Sequence, residues 1–112
     1  MLLHISPLVL ISEDPFIAAF VQTLLHRHGF EVVKAPAEQG LKRIEAGELQ
    51  PDLIITNTPQ VFLPVADRVH LLYLAAMPDS SLISRFPSAR SLCKPFSNDG
   101  LLEAVESLTV LK

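Results

Sequence analysis

Polar side chains stand at the ends of several short apolar runs, and these are the residues whose types could do chemistry. Carboxylates and amides can bind a cation, and an ammonium can bind a phosphate. Such groups could act together only where the fold brings them to one place. The polar residues at the carboxyl ends of the runs are Ser12, Glu13, Asp14, Asn57 and Lys94, and the fourth run ends at Ala75, which has no polar side chain.

The first apolar run and the segment after it predict a strand followed by a helix. Leu8–Ile11 is short and aliphatic, which is typical of a buried central strand. Asp14 can cap the helix and Pro15 suits its first position, while Gly29 can end it in a left-handed conformation. We expect this helix to carry an apolar stripe of Phe16, Ile17, Phe20, Val21, Leu24 and Leu25.

The same alternation continues to the end of the chain and predicts an α/β fold. Near-continuous apolar strands separated by helices indicate a doubly wound, five-stranded parallel sheet with right-handed crossovers. Only eleven residues, including Pro59 and Pro64, separate Asn57 from Val69, so we expect the third helix to be truncated or missing. The further strands are predicted at Phe30–Lys34, Leu53–Thr56, Val69–Ala76 and Ser91–Cys93, and the helices at Pro36–Ala46, Ser80–Phe86 and Ser97–Leu108.

Length and composition limit the classes of function. A chain of 112 residues fits one domain, in which Met1–Pro7 is either an extra edge segment or the stub of a linker. Nine basic against twelve acidic residues argue against direct nucleic-acid binding. Only 19 % of residues are charged, which favours an apolar surface for a protein partner. Met1–Ile11 resembles neither a signal peptide nor a membrane span, and with one cysteine we expect a reducing, cytoplasmic setting.

Together, the strand-end residues, the Gly29-Phe30 turn, Pro51-Asp52-Leu53-Ile54-Ile55 and Lys94-Pro95-Phe96 resemble the receiver domain of two-component response regulators. The resemblance extends from Leu8 to about Leu108 and implies a flavodoxin-like fold with strand order 2-1-3-4-5. In that family an acidic pair after the first strand holds Mg²⁺, and an Asp after the third strand accepts a phosphoryl group. A hydroxyl residue after the fourth strand and a Lys after the fifth bind the phosphate.

This chain departs from the family at most of those positions. Ser12 and Glu13 align with the acidic pair, Asn57 with the phosphorylated Asp, and Ala75, or Leu74 if the alignment shifts by one residue, with the hydroxyl residue. A neutral amide is a poor nucleophile, so Asn57 cannot form an aspartyl phosphate. One remaining carboxylate attracts Mg²⁺ weakly, so we expect no metal, no cofactor and no catalysis.

The sequence therefore favours a pseudo-receiver that acts by protein–protein interaction or regulation in bacterial signalling. Its partner would be a histidine kinase, a regulator, another signalling domain or a second copy. Two alternatives remain open: a small-ligand sensor that uses the vestigial pocket, and a receiver phosphorylated on Ser12 or Thr58. Lys94 would either bind phosphate or form a structural ion pair with Glu13.

Several apolar residues are candidates for a partner face. By resemblance, Pro95 and Phe96 belong to the face that receivers use with partners, together with Ser80–Phe86 and the outer side of the last helix. Phe62 and Leu63 either present the sheet flank to a partner or fill a gap in the core.

Two other residue types have weaker chemical interpretations. His26 and His28 lie two residues apart on a helix and point about 200° apart, so they cannot share a metal. Cys93 is expected to be a buried, inert thiol.

Overall fold

The computed structural model describes residues 6–109, in which five strands form one parallel sheet of order β2-β1-β3-β4-β5. The strands are β1 Leu8–Ser12, β2 Glu31–Lys34, β3 Leu53–Thr56, β4 Leu71–Ala75 and β5 Ala89–Cys93. The helices are α1 Pro15–Arg27, α2 Ala37–Glu45, a 3₁₀ segment at Pro59–Arg68, α3 Ser80–Ile83 and α4 Asn98–Thr109. The predicted fold class and strand order are confirmed.

Helix α1 begins and ends as its sequence predicts. The Asp14 Oδ1 atom accepts the backbone N–H groups of Phe16 and Ile17, at 3.0 and 3.1 Å, and Gly29 follows the helix with φ of 89°. The predicted stripe is wrong at two positions, because Phe16 is 88 % exposed and Phe20 is 44 % exposed. At 100° per residue, these two side chains lie on the opposite side of the helix from Ala18, Val21 and Leu25.

The sheet carries a hydrophobic core on each face. On one face, α1 and α4 pack against alternate residues of the central strands, including Val9 and Leu72. On the other face, α2 and the 3₁₀ segment pack against Leu10 and Leu71. Gly40 lets α2 approach closely, since a Cβ atom there would lie 2.9 Å from Leu10 Cδ2.

The third crossover contains no α-helix, as its length predicts. A 3₁₀ helix rises about 2.0 Å per residue, against 1.5 Å for an α-helix, so few residues span the sheet. Val65 interrupts the segment with non-helical angles (φ −117°, ψ 19°). Phe62 is fully buried in the second core, which makes the partner-face alternative wrong for this residue, while Leu63 is partly buried.

The β5 flank of the sheet is thinly covered. Helix α3 is a single turn that leaves Ser91 and Cys93 exposed on the edge strand. The prediction of a buried thiol at Cys93 is therefore wrong, because burial here depends on a neighbouring helix that is too short to reach it.

The start of the chain joins the sheet through Pro7, whose carbonyl oxygen accepts the N–H of Glu31 at 2.9 Å. Residues 1–5 of the predicted edge segment or linker stub lie outside the described residues. Between residues 6 and 109, no helix is both long enough and apolar enough to cross a membrane.

Candidate functional site

The strand register gathers the six strand-end residues at one edge of the sheet. Ser12 pairs with Thr56 across β1 and β3, and Ala75 pairs with Cys93 across β4 and β5. Glu13 and Asn57 each follow one member of the first pair, and Lys94 follows Cys93. The residues therefore occupy the carboxyl edge, where ligands bind in sheets of this kind.

Glu13 and Lys94 are in contact at this edge. Lys94 Nζ lies 2.9 Å from Glu13 Oε2, and the exposed fractions of the two side chains are 24 % for Lys94 and 0 % for Glu13. Glu13 Oε1 accepts the backbone N–H of Asp14 at 2.9 Å, whereas no hydrogen bond to Oε2 is found among residues 6–109. The ion pair therefore supplies the main electrostatic compensation for this buried oxygen.

The second carboxylate near the edge, that of Asp14, caps helix α1. Asp14 is exposed, and its Oδ1 atom caps the helix through Phe16 and Ile17. Within the described part of the chain, no group of three or more His, Cys, Asp or Glu side chains is placed to hold a metal ion. The donor set at this edge, with one carboxylate paired and one serving as a cap, does not fit the anionic oxygen ligands that Mg²⁺ prefers.

Asn57 is exposed at the end of β3, where it presents a neutral amide. Two threonines flank it and bond to each other, because Thr56 Oγ1 accepts the Thr58 N–H at 2.9 Å and lies 3.2 Å from Thr58 Oγ1. Ser12 is 6 % exposed within the sheet. A buried Ser12 is poorly accessible as a phosphoryl acceptor, and the bonded Thr58 faces another hydroxyl in place of a general base.

A backbone hydrogen bond joins Ala75 and Lys94. The Lys94 N–H donates to the Ala75 carbonyl oxygen at 2.9 Å, and the peptide bond between Lys94 and Pro95 is cis. Ala75 is partly buried and has no hydroxyl that could bind a phosphate. Phe96 follows, partly buried, with its ring centroid 6.3 Å from that of Phe20.

A cleft of about 390 Å³ opens beside Glu13, between β1, α1 and the connection from β2 to α2. Its lining is mostly apolar, and Lys34 supplies an exposed ammonium. Sequence reasoning named Glu13 but missed the rest of this cleft, because it assigned no binding role to Lys34, Ala35 and Pro36 at the end of β2. The cleft is lined by Ile11, Glu13, Pro15, Ala18, Lys34, Ala35 and Pro36.

The remaining candidates lie away from the edge or outside any ligand set. His26 and His28 are exposed at the carboxyl end of α1, and Cys93 is an exposed free thiol on β5. A further exposed residue that sequence reasoning missed is Met77, 88 % exposed after β4. The exposure of an apolar side chain in a loop leaves no periodic signal in the sequence.

Comparison with known proteins finds solved structures with a similar fold. No family model matches the sequence, and no curated protein matches it. Among solved structures, a chemotaxis response regulator of Vibrio cholerae has a TM-score of 0.76 at 17 % identity, with 94 % of this chain and 99 % of that chain covered. A response regulator of Thermotoga maritima gives 0.73 at 19 % identity, covering 94 % and 98 %.

A third solved structure, the signal receiver domain of an HD domain-containing protein of Pseudomonas fluorescens, gives a TM-score of 0.76 at 20 % identity. It covers 97 % of this chain and 90 % of that chain. The chain therefore has the fold of response-regulator receiver domains. At these identities the likeness concerns the fold alone.

Proposed function

We propose that this chain is a pseudo-receiver, a single receiver-like unit that does not catalyse its own phosphorylation and works through protein contacts in two-component signalling. The observation that carries the proposal is the type of residue 57. Asn57 stands exposed at the end of β3, where the family has its phosphorylated Asp, and its neutral amide has no oxygen nucleophilic enough to attack phosphorus.

The surroundings of Asn57 support the same conclusion. The Lys94 ammonium, which would bind a phosphoryl group in an active receiver, contacts Glu13 at 2.9 Å. Moving Lys94 to a phosphate would leave the buried Glu13 carboxylate without its counter-charge, which costs free energy. Asp14 is engaged as a helix cap, so metal binding at this edge would also cost part of the stability of α1.

With covalent switching removed, regulation would come from binding a partner. Receivers signal through their surfaces, and the candidate surface here includes Pro95, Phe96 and the thinly covered β5 flank with Ser91 and Cys93. A histidine kinase, a regulator or another signalling domain would be the partner class. The formal charge of −3 disfavours nucleic acid as the direct ligand.

The proposal is tested by incubating the protein with Mg²⁺ and a small phosphoryl donor and measuring its intact mass. We expect no added phosphoryl group on the wild type and no response of its amide NMR spectrum to beryllofluoride. The Asn57→Asp/Ser12→Asp variant restores the missing carboxylates and is expected to regain part of the response. A hydroxylamine-sensitive phosphate on the wild-type protein would overturn the proposal.

The cleft beside Glu13 favours a second candidate function, that of a small-ligand sensor. Its apolar lining and the Lys34 ammonium suit a small molecule that combines an apolar body with a carboxylate or phosphate. A thermal-shift screen of nucleotides and acidic metabolites tests this, because a ligand at 100 times its Kd adds about 2.7 kcal/mol. Lys34→Ala should abolish a true signal, while Lys42→Ala, exposed on α2 outside the cleft, should leave it unchanged.

A further inference from the structure

Helix α1 has a second apolar face that points to solvent. Phe16, Ala19, Phe20 and Thr23 are all exposed, and their spacing of three, four and seven residues aligns them along one side of the helix. The Thr23 hydroxyl donates to the Ala19 carbonyl oxygen at 3.0 Å, so its hydrogen is used within the helix. These four residues, called here the outer α1 face, carry no charge.

The two ends of the outer α1 face differ in charge and shape. Asp14 is exposed at the amino end, and His26 and Arg27 are exposed at the carboxyl end. Phe16, 88 % exposed, projects near the acidic end. A shallow groove lies at the basic end, lined by Gln22, Thr23, His26 and Arg27. One helix therefore carries a protruding ring and, one to two turns further on, a groove.

We propose that two copies of this chain associate through their outer α1 faces, with the helices antiparallel and a two-fold axis beside Phe20. In that arrangement, Asp14 of each copy lies opposite His26 of the other, since both are six residues from Phe20. Phe16 of each copy reaches the groove of the other beside Thr23 and Arg27. Every contact is made twice, as an isologous interface requires.

Charge and packing both favour a second copy as the occupant. The antiparallel arrangement brings the Asp14 carboxylate near the Arg27 guanidinium at both ends, whereas a parallel arrangement would place like charges together. The small residues Ala19 and Thr23 leave room for the bulky rings of the other helix. Phe96, whose ring centroid is 6.3 Å from that of Phe20, extends the apolar surface beside the axis.

A single helix face buries less area than a standard protein interface, so the dimer should be weak and reversible. Sedimentation velocity of the full chain, from about 10 µM to about 1 mM, should therefore show concentration-dependent dimerisation. Phe16→Lys should weaken association at least about ten-fold, because it removes the aromatic ring that enters the groove of the other copy. Met77→Lys is the matched control, since Met77 is also an apolar residue 88 % exposed, and should leave association unchanged.

A cross-link tests the position of the axis. In a Cys93→Ser background, Phe20→Cys should form a disulfide-linked dimer under mild oxidation, because the two residues at position 20 face each other. Gln60→Cys in the same background, exposed on the 3₁₀ segment, should remain largely unlinked. Circular dichroism of each variant checks that it is folded.

Three results would overturn the proposal. A wild type that stays monomeric up to about 1 mM would mean that the outer α1 face does not bind a second copy. A dimer unaffected by Phe16→Lys would mean that another surface associates. Equal cross-linking at positions 20 and 60 would exclude the axis. None of these results bears on Asn57, so the proposed function and this interface fail independently.

Discussion

Lys94 and Glu13 connect the two strands β5 and β1 across the width of β3 and β4, with Nζ 2.9 Å from Oε2. The contact joins the carboxyl ends of strands that are not neighbours in the sheet. In this chain the Lys94 ammonium is therefore paired with a buried carboxylate of the same edge.

The ion pair predicts an asymmetric response to mutation. Lys94→Met should lower the free energy of unfolding by about 3 kcal/mol, because it leaves the buried Glu13 carboxylate uncompensated. The double variant Lys94→Met/Glu13→Gln should recover most of that loss. Urea unfolding measures both, with Lys42→Met, an exposed lysine on α2, as control. Equal losses in the single and double variants would show that the charge pairing contributes little.

Phe62 is predicted to be a core residue with a large contribution to stability. It is fully buried, so Phe62→Ala should cost about 3 to 5 kcal/mol, through lost burial and the cavity left behind. Leu63→Ala, at a partly buried neighbouring position, should cost clearly less. Chemical denaturation of the two variants makes the comparison, and similar small losses would argue that the 3₁₀ segment packs loosely.

Asp79 offers a local test of pH dependence at the start of α3. The Ser81 hydroxyl donates to Asp79 Oδ1 at 2.6 Å and the Ser81 N–H donates at 3.0 Å, which holds the pKa of Asp79 below its ordinary value of 3.8. Because the folded pKa is lowered, the contribution to α3 is present above the unfolded pKa and is lost as the pH falls through the folded pKa.

Ser81→Ala removes the hydroxyl donor, so the pKa of Asp79 should rise toward 3.8. The backbone donors remain, which should keep it slightly lower. An NMR titration of the Asp79 carboxyl carbon measures the shift, with Ser80→Ala, which leaves both Ser81 bonds in place, as control. An unchanged Asp79 pKa in Ser81→Ala would contradict the role of this hydroxyl.

The Cys93 thiol is predicted to react in the folded protein. Since Cys93 is exposed on β5, a thiol reagent such as DTNB should modify it without denaturant, at a rate within about ten-fold of that in the unfolded chain. Cys93→Ser should show no signal at all. Modification only after unfolding would mean that the β5 flank is covered in solution.

Features governed by local chemistry could be predicted from the sequence. The bounds of β3 follow from the run Leu53–Thr56 and the turn residues after it, and the start of α1 follows from Asp14 and Pro15. The gathering of strand-end residues at one edge follows from parallel topology alone. Contact between Glu13 and Lys94 was one of two alternatives, and geometry was needed to choose between them.

Features that depend on cover by distant elements could not be predicted. Cys93 lies in a strand with an apolar neighbour, yet its exposure is decided by the length of α3. Burial of Phe62 was one of two alternatives, and the choice depends on how the 3₁₀ segment turns the ring toward the sheet, which no short pattern specifies. The exposure of Phe16 and Phe20, in contrast, could be predicted from the sequence. At 100° per residue, these two side chains lie on the opposite side of α1 from the inward residues.

The one-turn length of α3 has a consequence for how the molecule opens. Where few side chains shield a strand, its amide protons exchange through small fluctuations that leave the rest of the fold intact. Hydrogen exchange should therefore reach β5 long before β1 and β3, whose residues Val9, Leu10, Ile54 and Ile55 are wholly enclosed. The sheet would loosen from the β5 border inward.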